Sequence, residues 1–285
     1  MKAASFDYVR ATSLPQVFDL LKQHGDDARL LAGGQTLVAT LNMRLSEPAL
    51  LIDINALAEL RGITLGNSVL RIGALVTHAE IEASPLVARH APLLAQAAPH
   101  IAHRAIRNLG TFGGSLAYAD PAAEWPACVR ALDATLVSIS AQGQRRVAAL
   151  DFFQGLYTTA LQSGELLLAC EIPCLAPGER QHFDELARRH GDYAITGLAG
   201  RALLQAGRLH ELRLAFLGLE DKPVRATRTE ALINGRVVDD ALLALATRTL
   251  RSELQPMGDM TNNADTKGHL AGVLMQRALR RLAVA

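Results

Sequence analysis

Two glycine-rich stretches constrain this chain more than any other feature. The longer one, Arg107 to Pro126, reads RNLGTFGGSLAYADPAAEWP. A helix interior or a central strand tolerates that mixture poorly, so the stretch is read as a loop. Gly110, Gly113 and Gly114 are expected to let the backbone take positive φ and to admit another group close to it. Successive N–H groups in such a loop can converge on an anion, with the Thr111 and Ser115 hydroxyls beside them. One Gly-Gly pair alone is ordinary turn punctuation. A second pair, in Ala32-Gly33-Gly34-Gln35-Thr36, lies between the apolar run Ala28 to Leu31 and a short helical segment, Leu37 to Leu45. Strand, glycine pair, hydroxyl and helix start make a phosphate-binding arrangement, because the first helical N–H groups are free and the dipole end is positive. No Gly-Lys-Ser/Thr follows, and the G-x-G-x-x-G spacing is absent, so neither the P-loop nor the dinucleotide fingerprint applies. Two such loops suggest a diphosphate gripped from two sides.

The length of 285 residues suits about two domains with a real core. With 29 basic and 28 acidic residues, the net charge of +1 offers no field for nucleic acid or an anionic membrane. No apolar run approaches the ~18 residues of a membrane span, and MKAASFDYVRATS lacks the apolar centre of a secretory signal. Three cysteines, Cys128, Cys170 and Cys174, give an odd count without framework spacing, which suggests a reducing, cytoplasmic setting. A two-iron cluster takes about four cysteine ligands, so none is expected on this chain. The nine histidines show no metal-ligand spacing, and no catalytic triad can be assigned from order alone.

Along the chain, Ser13 caps a helix with Gln16 three residues on, and Gly25 stops it. Leu50 to Ile54 is a strand and closes a first α/β layer near residue 56. Val69 to Gly73 alternates as a half-buried strand. Thr77 to Ala83, Pro85 to Ala98 and Pro126 to Leu132 read as helices, and Ala134 to Ser140 and Leu166 to Ile172 as strands. Leu175-Ala176-Pro177-Gly178 is the expected domain boundary. Beyond it come three strands, Gln181 to Arg188, Ala194 to Leu204 and Glu211 to Leu217. Helices follow over Thr227 to Ile233, Asp240 to Leu254 and Asp265 to Leu282. The class is therefore α+β. Gln255 to Asn263 reads as a polar loop, mobile or facing a partner.

Together LLAGGQTLVATLNMRL and RNLGTFGGSLAYADPAAEWP resemble the FAD-binding medium subunits of the molybdenum hydroxylases, the family of the xanthine dehydrogenase flavin domain and carbon monoxide dehydrogenase. The resemblance continues through RRHGDYA, at Arg188 to Ala194, and HLAGVLMQRALRR. It implies the FAD-binding fold shared with vanillyl-alcohol oxidase and p-cresol methylhydroxylase (the PCMH/VAO type). Residues 1–175 would form that domain, with subdomains of about 1–56 and 57–175. Residues 178–285 would form a C-terminal domain of the carbon monoxide dehydrogenase flavoprotein type, a three-stranded sheet with helices. FAD would lie extended between the subdomains. Its contacts would come from Ala32, Gly33, Gly34, Gln35 and Thr36 in one loop, and from Thr111, Gly113, Gly114 and Ser115 in the other. Glu124 would bond the ribityl hydroxyls as an ionised carboxylate. Ile101 would pack near the adenine or ribityl region, and Leu167 against the isoalloxazine ring. Asp120 lines the same stretch, although a turn cap before Pro121 explains it equally well. Tyr193 would cover the ring, or else pack as an ordinary tyrosine.

The implied function is electron transfer. Electrons would pass from two-iron (2Fe-2S) clusters on a small partner subunit, through FAD here, to an external acceptor. Substrate would be hydroxylated at a molybdenum cofactor on a large subunit, in a dimer of heterotrimers. The competing readings are a stand-alone flavin oxidoreductase and a flavin-free nucleotide-binding assembly subunit. Xanthine-type relatives carry a lysine one residue after the aromatic matching Phe183. This chain has Asp184 there, then Glu185, so a contact made by that lysine has no counterpart. Arg188 and Arg189 are left open between flavin, partner and solvent.

Overall fold

The computed structural model describes residues 2–284. The first layer runs β1 (Asp7–Arg10), α1 (Leu14–His24), β2 (Ala28–Leu31), α2 (Leu37–Asn42) and β3 (Leu50–Asp53). Its three strands are parallel in the order β1-β3-β2. Ser13 caps α1, its hydroxyl accepting from the Gln16 N–H, and Gly25 ends it at φ 52°. The strand β1, only four residues long and mostly exposed, carries little apolar pattern and is not evident in the sequence.

The second unit holds an antiparallel five-stranded sheet ordered β4-β5-β10-β6-β7, with helices over one side. In chain order it comprises β4 (Ile63–Gly66), β5 (Val69–Gly73), α3 (His78–Ala83), α4 (Pro85–His90), α5 (Pro92–Ala97), α6 (Arg104–Arg107), α7 (Phe112–Tyr118) and α8 (Glu124–Ala131). Then follow β6 (Thr135–Ser140), β7 (Gly143–Ala148), α9 (Ala149–Phe152), the hairpin of β8 (Phe153–Gly155) and β9 (Thr158–Thr159), and β10 (Leu166–Pro173). The single helix expected over Pro85 to Ala98 is two. Pro92 lacks an N–H and forces Ala91 out of helical geometry, to φ −145° and ψ 60°. The segment Phe112–Tyr118, expected to be loop, is helix, and it contains Gly113, Gly114 and Ser115. Thr111 makes this possible, since its hydroxyl accepts from the Gly114 N–H and caps the helix.

The C-terminal unit is β11 (Glu179–Ala187), β12 (Ala194–Gln205), β13 (Arg208–Leu217), β14 (Val224–Arg225), α10 (Thr227–Ile233), α11 (Asp240–Glu253) and α12 (Ala264–Leu282). Its sheet is antiparallel, and β14 adds a short fourth strand at the edge of the three expected. The strands alternate between two cores. Phe183, Ala199, Ala215 and Leu217 share a core with Trp125 and Cys128 of α8. Leu198, Phe216 and Leu214 share another with α10, α11 and α12. The loop 255–263 is organised by Asp259, whose carboxylate accepts from the Thr261 and Asn262 N–H groups and pairs with Lys267 at 2.8 Å.

Candidate functional site

Asn55 anchors the first glycine loop, its amide donating to the Ala32 carbonyl at 2.8 Å and to Asp53 at 2.7 Å. Gly34 sits at φ 71°, where a glycine is needed. Gly33 has a different task. A Cβ there would stand 2.1 Å from the Leu109 carbonyl oxygen and 2.8 Å from the Gly110 Cα. The backbones of the two loops therefore touch at Gly33. The N–H groups of Gly33, Gly34, Gln35 and Thr36 donate to no protein acceptor among the described residues. They form a row of unpaired donors ahead of α2.

The second loop differs from the sequence reading. Gly110, Gly113 and Gly114 do not have positive φ. They are small because their surroundings are close. A Cβ on Gly110 would meet the His78 ring at 2.7 Å, and one on Gly113 would meet Ala74 at 2.4 Å. Their N–H groups are also occupied: Gly113 donates to Ala74 O at 2.9 Å, Gly114 to Thr111 and Gly110 to Ile106 O at 2.7 Å. The anion-ready donors thus lie in the first loop. The second supports it from behind and presents the half-buried Ser115 and the exposed Gly114.

An open cleft of about 430 Å³ lies beside the first loop. Gln35, Thr36, Thr40 and Met43 line one side, and Tyr118, Asp120, Tyr157 and Tyr193 the other. The sequence reading missed Tyr118 and Tyr157, whose rings lie 5.0 Å apart. Tyr157 stands at the tip of the β8–β9 hairpin with φ 51°, a position no periodicity marks. Tyr193 is 73% exposed on its loop. Its neighbour Asp192 ties down that loop by pairing with Arg188 and Arg189, which otherwise face solvent. Asp120 both lines the cleft and caps a turn, accepting from the Ala122 N–H at 2.9 Å; burial pushes its carboxyl up.

Ile101 and Leu167 are in the central core and do not line the cleft. Arg107, buried beneath, fixes the Ile101 turn by donating to the carbonyls of Ile101 and Ala102, both at 3.0 Å. Glu124 is half-buried at the first position of α8. Burial, and then the Glu185 carboxylate, push it up to about 8. That direction favours the neutral acid near pH 7, where the sequence reading expects an ionised carboxylate. Behind it, Trp125 Nε1 donates to His78 Nδ1 at 2.9 Å. Burial, with Arg107 nearby, lowers His78 to about 4, so its ring is neutral. Asp184 points away from the cleft and pairs with Arg277 of α12 at 3.0 Å.

FAD fits these features. Its diphosphate needs unpaired donors without a carboxylate charge among them, and its ring needs an apolar and aromatic wall. The first loop and the tyrosine-lined cleft supply both.

Residues 4–175 match the family described as the FAD binding domain in molybdopterin dehydrogenase. Residues 181–282 match the CO dehydrogenase flavoprotein C-terminal domain. The 6-hydroxypseudooxynicotine dehydrogenase complex subunit alpha of Paenarthrobacter nicotinovorans is 37% identical over 99% of this chain and 95% of its own. The carbon monoxide dehydrogenase medium chain of Hydrogenophaga pseudoflava is 33% identical over 96% of each chain. A solved carbon monoxide dehydrogenase from that organism, lacking the Mo-pyranopterin moiety of its cofactor, superposes with a TM-score of 0.97 at 34% identity, covering 100% of both chains.

Proposed function

Since this chain belongs to the FAD-binding medium subunits of the molybdenum hydroxylases, the family of carbon monoxide and xanthine dehydrogenases, we propose that it is the electron-transfer subunit of such a complex. The observation that carries this reading is the row of unpaired N–H groups from Gly33 to Thr36, backed by a second glycine loop and facing an aromatic cleft. When bound, FAD supplies the chemistry of taking electrons singly and releasing them in pairs.

The chain's own residues bind and orient. Ala32 to Thr36 hold the diphosphate through backbone donors and the Thr36 hydroxyl. Thr111 keeps its hydroxyl on the Gly114 N–H and so fixes the second loop, where Gly113 allows the close approach of Ala74. Ser115 and Gly114 close the far side. Glu124 meets the ribityl hydroxyls as donor and acceptor at once. Ile101 and Leu167 back the site from the core. Tyr193, with Tyr157 and Tyr118, covers the ring end and limits water. Asp120, held by its turn, stays at the cleft wall.

The partners in this reading are a small iron–sulfur subunit and a large molybdenum subunit, arranged as a dimer of heterotrimers in the cytoplasm. Among the described residues no helix is long and apolar enough to cross a membrane, and no cluster of side chains is arranged to hold a metal. Affinity purification of the tagged chain from its native host tests the assembly. Two further polypeptides should accompany it, one with iron and acid-labile sulfide and one with molybdenum. A flavoprotein recovered alone and oxidising an organic substrate unaided would contradict the reading.

A further inference from the structure

The turn that follows β13 is pinned at three successive carbonyls. Gly218 sits at its centre with φ 75°, a conformation that suits glycine. Before it, the Leu217 carbonyl accepts from the buried Thr196 hydroxyl at 3.2 Å. After it, the Leu219 carbonyl accepts from the Met257 N–H at 2.6 Å. The Gly218 carbonyl itself accepts from Lys267 Nζ at 3.0 Å. Lys267 belongs to α12 and is only 7% exposed. Its second partner is Asp259, at 2.8 Å on the loop 255–263. An ammonium leaves water at a large cost unless it is paired and hydrogen-bonded, so a buried lysine calls for a reason. Here the buried charge is brought to one carbonyl of one turn.

That turn touches two segments of the cleft wall. The Gly218 N–H donates to the Pro121 carbonyl at 2.8 Å. Pro121 lies between Asp120, which lines the cleft, and Glu124, which opens α8. Asp120 shapes this stretch locally: the Ala122 N–H donates to its carboxylate at 2.9 Å and the Ala123 N–H to its carbonyl at 3.0 Å. Those two bonds fold the Asp120 turn but do not place it in the molecule. The bond from Gly218 fastens it to the C-terminal domain. Gly218 also lies against the start of β12. A Cβ there would stand 2.9 Å from the Ile195 carbonyl oxygen and 3.3 Å from that of Ala194. Ala194 directly follows Tyr193, which lines the cleft beside Asp120. The Gly218 turn thus joins the Asp120 and Tyr193 segments from behind, and Lys267 holds the turn.

We propose that Lys267 is a positioning residue for the FAD site: by clamping the Gly218 carbonyl it aims the Gly218 N–H at Pro121 and holds the Asp120 and Tyr193 walls of the cleft together. This rests on the FAD reading above. The C-terminal domain thereby contributes to flavin binding through a residue that does not line the cleft. The effect falls on the ring and ribityl end. The diphosphate donors, from Gly33 to Thr36, lie in the other loop and are untouched.

The test combines amide hydrogen exchange with titrations of FAD and riboflavin on the full-length, flavin-free chain. Lys267→Met keeps the stem and removes the donor. In it, the amides of Gly218, Ala122 and Ala123 should exchange faster than in the wild type. FAD and riboflavin should both bind about tenfold more weakly, the worth of one hydrogen bond, with the ratio between them unchanged. Lys267→Arg, which keeps a cationic donor, should recover most of the affinity. Asp259→Asn alters an exposed partner, so it should fold and give a smaller change of the same kind, and it decides the matter if Lys267→Met does not fold. Leu250→Ala removes packing from the same C-terminal core on α11 while leaving Lys267 in place, and should alter neither flavin affinity nor those amides. Unchanged exchange and affinity in Lys267→Met and Asp259→Asn would overturn the proposal, as would an equal flavin loss in Leu250→Ala. Faster exchange at the three amides in a chain whose wild type binds neither flavin would instead overturn the FAD reading and leave Lys267 as the residue that holds the turn.

Discussion

Replacing His78 by glutamine isolates one buried titration from all others. His78 Nδ1 accepts from Trp125, and its ring fills the space that Gly110 leaves open. Burial lowers it from 6.5 to about 4. The unfolded chain therefore binds a proton below pH ~6.5 that the folded chain refuses until pH ~4. The stability that the neutral ring represents is complete above pH ~6.5 and is lost as pH falls toward 4. Its full size is about 3 kcal/mol, of which roughly 2 kcal/mol disappears between pH 7 and pH 5. Glutamine retains an acceptor for the indole and does not titrate. Trp125 is the sole tryptophan, so its fluorescence reports urea unfolding at the site itself. The variant should be somewhat less stable at pH 7, but from pH 7 to pH 5 it should lose about 2 kcal/mol less than the wild type. Equal acid losses in the two proteins would refute a neutral, buried His78.

Glu124→Ala should weaken FAD about tenfold, the worth of one hydrogen bond to a buried acid, while Glu124→Gln stays close to wild type because a carboxamide is also neutral; flavin titration of the apo-variants decides this. Gly34→Val should lose FAD with the chain still folded, since a β-branched residue resists φ 71°, and unchanged flavin content would exclude a diphosphate clamp there. Changing Cys128, Cys170 and Cys174 together to serine should leave flavin stoichiometry unchanged at a packing cost. Burial raises all three thiols, so none is a ready thiolate, and loss of flavin in proportion would contradict this.

The elements that show in the sequence are those with local signals. Ser13, Gln16 and Gly25 bracket α1, and the apolar runs of β3 and β10 are continuous because both are buried. The Gly33–Gly34 loop was legible for the same reason, a strand and a helix on either side of it. The role of Gly33, by contrast, depends on Leu109, 76 positions away, and no local pattern reports that contact. Gly113 and Gly114 look like loop residues because glycine is a poor helix former, yet tertiary crowding at Ala74 and the Thr111 cap outweigh that penalty. The cleft tyrosines, Tyr118 and Tyr157, and the Trp125–His78 bond are likewise long-range arrangements of ordinary residues. Glu124 could be placed by its position after the loop, but the burial that pushes its carboxyl up, with Glu185 as a lesser cause, comes from residues distant in sequence.

The most direct test of the account is calorimetric titration of the flavin-free chain with FAD and, separately, with riboflavin. A clamp built on the free N–H groups of Gly33 to Thr36 predicts one FAD per chain and binding of riboflavin weaker by at least about a hundredfold, because riboflavin lacks the diphosphate; that factor corresponds to roughly 3 kcal/mol, the worth of about two charge-assisted hydrogen bonds. Riboflavin binding as tightly as FAD, or no binding of either, would contradict the diphosphate clamp on which the site is built.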